Sequence, residues 1–305
     1  MFFDFTITFG GGPQGTAYLV HRLSTDNEVH VVDAYGCCGM YAEAMNKTGA
    51  RHHVLKRNAR TTSVGHYGAP LARLVSLISQ LPELWDVRQR LERTILEVDP
   101  DVIWVNNEKS LVFLASILRL RRYPLVVYIR GWATPDQMTS RFKWFIRNRA
   151  SAVVAHSRAT IDQLRLAGIP EKQLHFTPNV VDRAELLRLA AKGFAIPAPT
   201  LLRHPRLLLP AARITPKKGH STALEAVSLL KKDGLEASLW LPGVAAVGDK
   251  SDYVDKLKRT AAEAGLTNNV EFLGWRSDMP ASSAQPTSSS YPLTPRAFRE
   301  PFSRP

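Results

Sequence analysis

Two short stretches of this 305-residue chain combine residue types and spacing suited to holding an anion. The first is Phe9-Gly10-Gly11-Gly12-Pro13-Gln14-Gly15-Thr16, which stands ahead of a helical pattern. Glycines let a backbone approach a ligand closely, and the free N–H groups and dipole of a helix N-terminus favour negative charge. Gly10, Gly12 and Gly15 also satisfy G-x-G-x-x-G, and Asp33 ends a second strand pattern about where a ribose-binding acid belongs. Pro13 weighs against a dinucleotide because it removes one backbone donor from the loop. Three readings stay open for Gly10, Gly11, Gly12 and Gly15: phosphate or sugar binding, dinucleotide binding, or a merely tight turn. The second stretch is Ala212-Arg213-Ile214-Thr215-Pro216-Lys217-Lys218-Gly219, at the end of a later strand pattern, where α/β folds place ligands. Arg213 can hold a phosphate in its planar fork and Lys218 can add a point charge, a pair suited to stabilising a departing diphosphate. The plainer reading makes both of them solvated loop cations.

The elements that would position these residues follow an α/β rhythm. Short β-branched runs at 6–9, 28–33, 102–106, 125–129, 152–155 and 175–177 alternate with helical patterns at 16–23, 71–96, 110–120, 138–148 and 159–167. Ser157 reads as a helix cap, and Gly168 with Pro170 reads as a stop. A proline-bearing hinge is expected over 183–205. The rhythm restarts with strands at 206–212, 237–241 and 270–273 and helices at 222–232 and 252–264. Thr222 and Glu225 have capping-box spacing, and Gly234 sits at a helix stop. The expectation is therefore an α/β chain of two facing Rossmann-like domains, 1–182 and 206–280. Residues 281–305 are Ser-, Pro- and Thr-rich without periodicity and read as a disordered tail.

Composition narrows the function classes. With 45% apolar residues, the chain can bury two ordinary cores. No run of about 18 uncharged apolar residues is present, and the opening MFFDFTITF lacks a basic leader. The two cysteines, Cys37 and Cys38, are adjacent, so they frame neither a disulfide scaffold nor a Cys-x-x-Cys site, and a reducing cytoplasm is expected. A net charge of +13 calls for an anionic partner, but no finger, RNA-binding signature or basic heptad helix accompanies it, which argues against nucleic acid. The nine histidines show no metal spacing, and Ser157 lacks a nucleophile elbow. Arg141-Phe142-Lys143-Trp144-Phe145-Ile146-Arg147-Asn148-Arg149 is a half-buried helix in the plainer reading, or a face for peripheral contact with an anionic membrane surface.

Over residues 3–280 the chain resembles the retaining glycosyltransferases of family 4, which have the GT-B fold. The resemblance rests on the Gly-rich turn, Asp99-Pro100-Asp101-Val102-Ile103, Ala155-His156-Ser157-Arg158, Pro178-Asn179-Val180-Val181-Asp182 and Arg213 with Lys218-Gly219. It continues through Leu241-Pro242-Gly243, Tyr253 with Leu257, and Asn269-Val270-Glu271-Phe272-Leu273-Gly274. The resemblance implies metal-independent transfer from a nucleotide-diphosphate sugar, used as co-substrate without a further cofactor, to a glycan, lipid-linked or small-molecule acceptor. It implies that Arg213 and Lys218 hold the donor diphosphate and that the Gly10 to Gly12 turn faces donor and acceptor. Family members commonly carry a histidine where this chain has Arg130, so Arg130 is a further candidate. A dinucleotide-dependent oxidoreductase and a non-catalytic nucleotide-sugar-binding remnant are the rival readings.

The family pattern goes on to a loop with two glutamates separated by seven residues, which hold the donor ribose and sugar. In 281–305 the one acidic residue is Glu300. Joining the third base of each codon to the first two of the next, the run from Pro280 can be read as x-LL-x-AADVVVLPS-x-x-EGFPRALLEA, with both glutamates at that spacing. Codon degeneracy leaves latitude at many positions, but Gln285-Pro286 permits only Ala or Thr, Tyr291-Pro292 only Ser or Pro, and Glu300-Pro301 only Ala or Thr. All three agree with the pattern, so a one-base frame displacement near Pro280 is expected, with a poorly soluble and inactive product.

Overall fold

The computed structural model describes residues 1–57, 70–131, 135–136, 138–179, 183–192, 206–208, 213–245, 252–276 and 278–279. The expected tail and most of the expected hinge lie outside these residues. The chain divides into two compact units, Met1–Val181 and Asp182–Pro305.

In the first unit, strands β1 (Phe2–Asp4), β2 (His30–Asp33), β3 (Arg51–Val54), β4 (Ile103–Val105), β5 (Leu125–Ile129), β6 (Ala152–Ala155) and β7 (Leu174–Phe176) form one sheet. Their order is β3-β2-β1-β4-β5-β6-β7, and every pairing is parallel. Central parallel strands are covered on both faces, so they read as apolar runs, and successive side chains go to opposite faces. Phe3, Val32, Val105, Val127 and Val153 join a core with α3 (Pro70–Val98), α4 (Glu108–Ala115), α5 (Ser140–Arg149) and α6 (Arg158–Leu166). Phe2 and Val31 face the other way, onto Val20 of α1 (Gly11–Leu23) and Tyr41 and Met45 of α2 (Gly39–Asn46).

Local chemistry sets several boundaries. Asn107 caps α4 by accepting from the Ser110 N–H at 2.8 Å. Ser157 caps α6 as expected, accepting from Thr160 N–H at 3.1 Å. Gly168, at φ 79°, stops that helix. Asp99 is a left-handed residue (φ 45°) directly before Pro100, so α3 must end there. Its carboxylate accepts from the Tyr123 hydroxyl at 2.7 Å and from Arg122 at 3.0 Å. Asp99 therefore has a structural task in the Asp99-Pro100-Asp101 triplet.

The second unit holds α7 (Arg183–Ala191), β8 (Arg206–Leu208), α8 (His220–Lys232), β9 (Ser238–Pro242), α9 (Tyr253–Glu263) and β10 (Val270–Gly274). Its sheet is parallel, in the order β10-β9-β8. Leu224 and Val227 of α8 and Ala261 of α9 pack on Leu239, Leu241 and Val270.

Several expectations need correction. The first strand is Phe2–Asp4, not 6–9, because the apolar opening is buried beside β2 and β4. Neither α2 nor β3 was expected: α2 has eight residues, and β3 is an edge strand of polar sequence, Arg-His-His-Val. Residues 183–191 of the expected hinge are helical. Thr222 does not cap α8, which begins at His220 behind Gly219 with no side-chain cap.

Candidate functional site

The strand order of the first unit reverses between β1 and β4, and open α/β sheets form their ligand crevice at the carboxyl ends beside such a reversal. Asp4 ends β1 there. Its carboxylate accepts from Phe5 N–H at 2.7 Å, Ser110 Oγ at 3.1 Å, Asn106 Nδ2 at 3.4 Å and Asn107 Nδ2. Burial raises its pKa, and those hydrogen bonds oppose the rise. Asp33 pairs with Asp4 across β1 and β2 and is wholly buried. Its Oδ1 accepts from Tyr35 N–H at 3.1 Å and its Oδ2 has no hydrogen-bond partner, so burial pushes the pKa up to about 6. A carboxylate at 0% exposure cannot reach a ribose, and the dinucleotide reading loses its acid.

The Gly-rich stretch is less a loop than the first turn of α1. Gly10 is the extended N-cap, and Gln14 N–H closes the turn on its carbonyl at 2.9 Å. Pro13 falls within that turn, where its N–H would have had no helical partner. A Cβ added at Gly10, Gly11 or Gly12 would meet nothing within 4 Å, and none of the three has a positive φ. The fold therefore does not require these glycines, while glycine in a helix costs about 1 kcal/mol relative to alanine. Their benefit is open space at a helix N-terminus. Gly15 differs, since a Cβ there would come within 2.9 Å of an Arg130 guanidinium nitrogen.

Arg130 follows β5 and reaches back to this turn, donating to the Gly12 carbonyl, which also accepts from Thr16 Oγ1 at 3.2 Å. Its guanidinium lies 4.5 Å from the centre of the Tyr128 ring, and its buried Nε has no hydrogen-bond partner. Beside it lies a small cavity of about 30 Å³, lined by Leu19, Trp104, Tyr128, Val154, Thr177 and Asn179. The Tyr128 hydroxyl donates to Asn179 Oδ1 at 3.2 Å.

In the second unit, Arg213 and Lys218 are both exposed on the segment entering α8. Residues Pro216–Lys218 form one 3-10 turn, and Gly219 follows at φ 75°, a left-handed conformation that L side chains rarely adopt. That geometry sets Lys218 next to the free N–H groups of the first α8 turn. His220 is buried beneath, and burial lowers its pKa. Residues 209–212, which precede Arg213, lie outside the described residues.

Sequence spacing does not reveal the approach of Arg130 to Gly12 and Gly15, more than 100 residues away, nor the ligation of Asp4 by the end of β4. Folding also pairs His30 with His53 at 2.9 Å, at the start of β2 and therefore away from the carboxyl-end crevice. Among the described residues, no group of three or more His, Cys, Asp or Glu could hold a metal ion. In α5, Phe142 and Ile146 are buried while Trp144 is 52% exposed. Among the described residues no helix is long and apolar enough to cross a membrane.

The first unit and the start of the second match the family model Glycosyltransferase Family 4 over residues 9–185, and residues 195–289 match Glycosyl transferases group 1. The chain belongs to Glycosyltransferase Family 4, and it is a glycosyltransferase of GT-B type, built from Rossmann-like α/β units. Among solved structures it is similar to Anabaena Alr3699/HepE in complex with UDP-glucose (TM-score 0.67, 20% identity, 93% of this chain and 70% of that one). The same Anabaena protein with UDP and glucose gives a TM-score of 0.65 at 20% identity, over 93% of this chain and 71% of that one. A glycosyltransferase from Rickettsia africae ESF-5 gives 0.60 at 15% identity, over 92% and 69%. These likenesses are of fold. No curated protein matches the chain in sequence.

Proposed function

We propose that this chain binds a nucleotide-diphosphate sugar and is built to pass the sugar to a glycan, lipid-linked or small-molecule acceptor. The observation that carries the reading is the entry to α8 in a member of this family, where exposed Arg213 and Lys218 precede a helix N-terminus opened by left-handed Gly219. Retaining transfer needs positive groups to neutralise the departing diphosphate, and a helix N-terminus with a lysine beside it supplies them. Gly10, Gly11, Gly12 and Gly15 give the acceptor side a surface that ligand atoms can approach closely. That a UDP-glucose complex exists for the Anabaena protein of similar fold supports a nucleotide-sugar donor.

Within residues 281–305 the one acidic residue is Glu300, so the two-glutamate donor motif is not among them. A lipid-linked acceptor would bring the chain to the inner face of a membrane, where exposed Trp144 and the cations Arg141 and Arg147 of α5 could rest on anionic headgroups. Calorimetry of the full chain with a panel of nucleoside diphosphates tests the donor site. Saturable binding is expected, weakened at least tenfold in Arg213→Ala and Lys218→Ala. Absence of binding to any nucleoside diphosphate would end the reading.

A further inference from the structure

A guanidinium taken partly out of water normally sits against a carboxylate, because desolvating a charge costs several kcal/mol unless an opposite charge or full hydrogen bonding compensates. Arg130 has neither among the described residues. Among the described residues it makes no ion pair within 4 Å, its hydrogen-bond acceptors are the neutral Gly12 carbonyl and Tyr128, and the Tyr128 ring lies under it. The Nε N–H is buried and unused. Asp4 is the acidic group that faces it, but the Asp4 oxygens are already taken by Phe5, Asn106, Asn107 and Ser110. Tyr41, also facing Arg130, is kept protonated by burial. Burial correspondingly lowers the pKa of Arg130 itself.

The position of this cation is as informative as its lack of a partner. It stands at the mouth of the pocket walled by Leu19, Trp104 and Tyr128, beside the open N-terminal turn of α1. An anion arriving there would meet the guanidinium fork, which lies against the Gly12 carbonyl and Gly15 of α1. Leu19 and Trp104 give the ligand an apolar surface beside the cation.

We infer that Arg130 recognises an anionic substituent, a carboxylate or a phosphate, of the saccharide acceptor, so that the acceptor class is an acidic sugar rather than a neutral one. The inference rests on the glycosyl-transfer reading for the word acceptor, while the binding site itself stands on the first unit alone.

The test titrates the full chain with glucuronate, glucose 6-phosphate and glucose, and separately with UDP. At least one acidic sugar is expected to bind tenfold or more tightly than glucose. The arm that binds tells the carboxylate from the phosphate source, and inorganic phosphate shows how much the sugar ring adds. In Arg130→Gln the preference over glucose is expected to vanish while UDP binding is unchanged, and Arg130→Lys should keep part of the preference because the charge remains without the fork. Equal binding of all three sugars by the unaltered chain, or binding of none, overturns the inference without recourse to a variant. So does a loss of UDP binding in Arg130→Gln with the sugar preference intact, which would give Arg130 to the donor. Failure of the donor reading shows separately, as no UDP binding by the unaltered chain.

Discussion

The two units begin alike and then diverge. In each, a first strand leads through a turn into a helix, and two further strands add on one side, giving β3-β2-β1 in the first unit and β10-β9-β8 in the second. The first unit then reverses and adds β4 to β7 on the far side of β1, whereas the second, among its described residues, has no strand beyond β8. A crevice needs two walls. In the first unit Arg130, beyond β5, reaches the Gly-rich turn, and in the second Arg213, Lys218 and Gly219 have no such counterpart among the described residues. A cation pair presents charge to a diphosphate, whereas orienting a sugar takes groups on a second wall, and orientation is a large part of catalysis.

The largest expected effect comes from supplying the second wall. Purified as it stands, the chain should show no donor hydrolysis or transfer. If the coding DNA carries the displaced string, shifting the frame by one base near codon 280 should raise turnover by about 10³-fold or more, since it adds the groups that position the donor. Activity in the unaltered chain, or DNA that does not encode the string, would remove this account.

Next in size is a difference in stability between the units. Leu91→Ala, in the large core of the first unit, should cost about 2–5 kcal/mol and shift the melting of that unit, monitored by hydrogen exchange. Exchange in β8 and β9 should be faster than in β4 and β5, because among the described residues their sheet has three strands against seven. Slower exchange in the second unit would reverse the comparison.

A smaller effect depends on pH. The pKa of Asp33 rises on folding from about 3.8 to about 6, so the native chain holds the proton more tightly than the unfolded one. Stability tied to this group is full below about pH 4 and falls as pH rises through 6. Asp33→Asn removes the penalty. Relative to the parent, it should gain nothing near pH 4 and about 3 kcal/mol above pH 6, because each tenfold change in proton affinity is worth about 1.36 kcal/mol. Denaturant melts across pH 4–8 measure this, and a gain independent of pH would contradict it.

The smallest effect is at the glycine run. Gly11→Ala and Gly12→Ala should each stabilise α1 by up to about 1 kcal/mol, since added methyl groups meet nothing, while weakening ligand binding at the turn. Thermal melts paired with titrations check both directions.

Long and strongly patterned elements were legible in the sequence: β5 and β6 fall at their expected bounds, and Ser157, Gly168 and Gly234 act as cap and stops. The first strand was misplaced because Thr6 to Phe9 alternates like a half-buried strand, whereas a central parallel strand shows as a continuous run such as Phe2-Phe3. The start of α1 was hidden by glycines and proline, residues that normally mark loops, and β3 by two histidines and an arginine. At the site, residue types pointed to the Gly-rich turn and to Lys218. The burial of Asp33 and the reach of Arg130 could not be read, because both depend on which strands become neighbours.

The pairing of β1 with β4 also carries a cost in time. The partners of Asp4 at 106, 107 and 110 leave the ribosome about a hundred residues after it, some 5–20 s later at ordinary synthesis rates. Until then the phenylalanines of the opening segment have β2 on one side only, and a nascent chain carrying that open edge is a natural client for a chaperone.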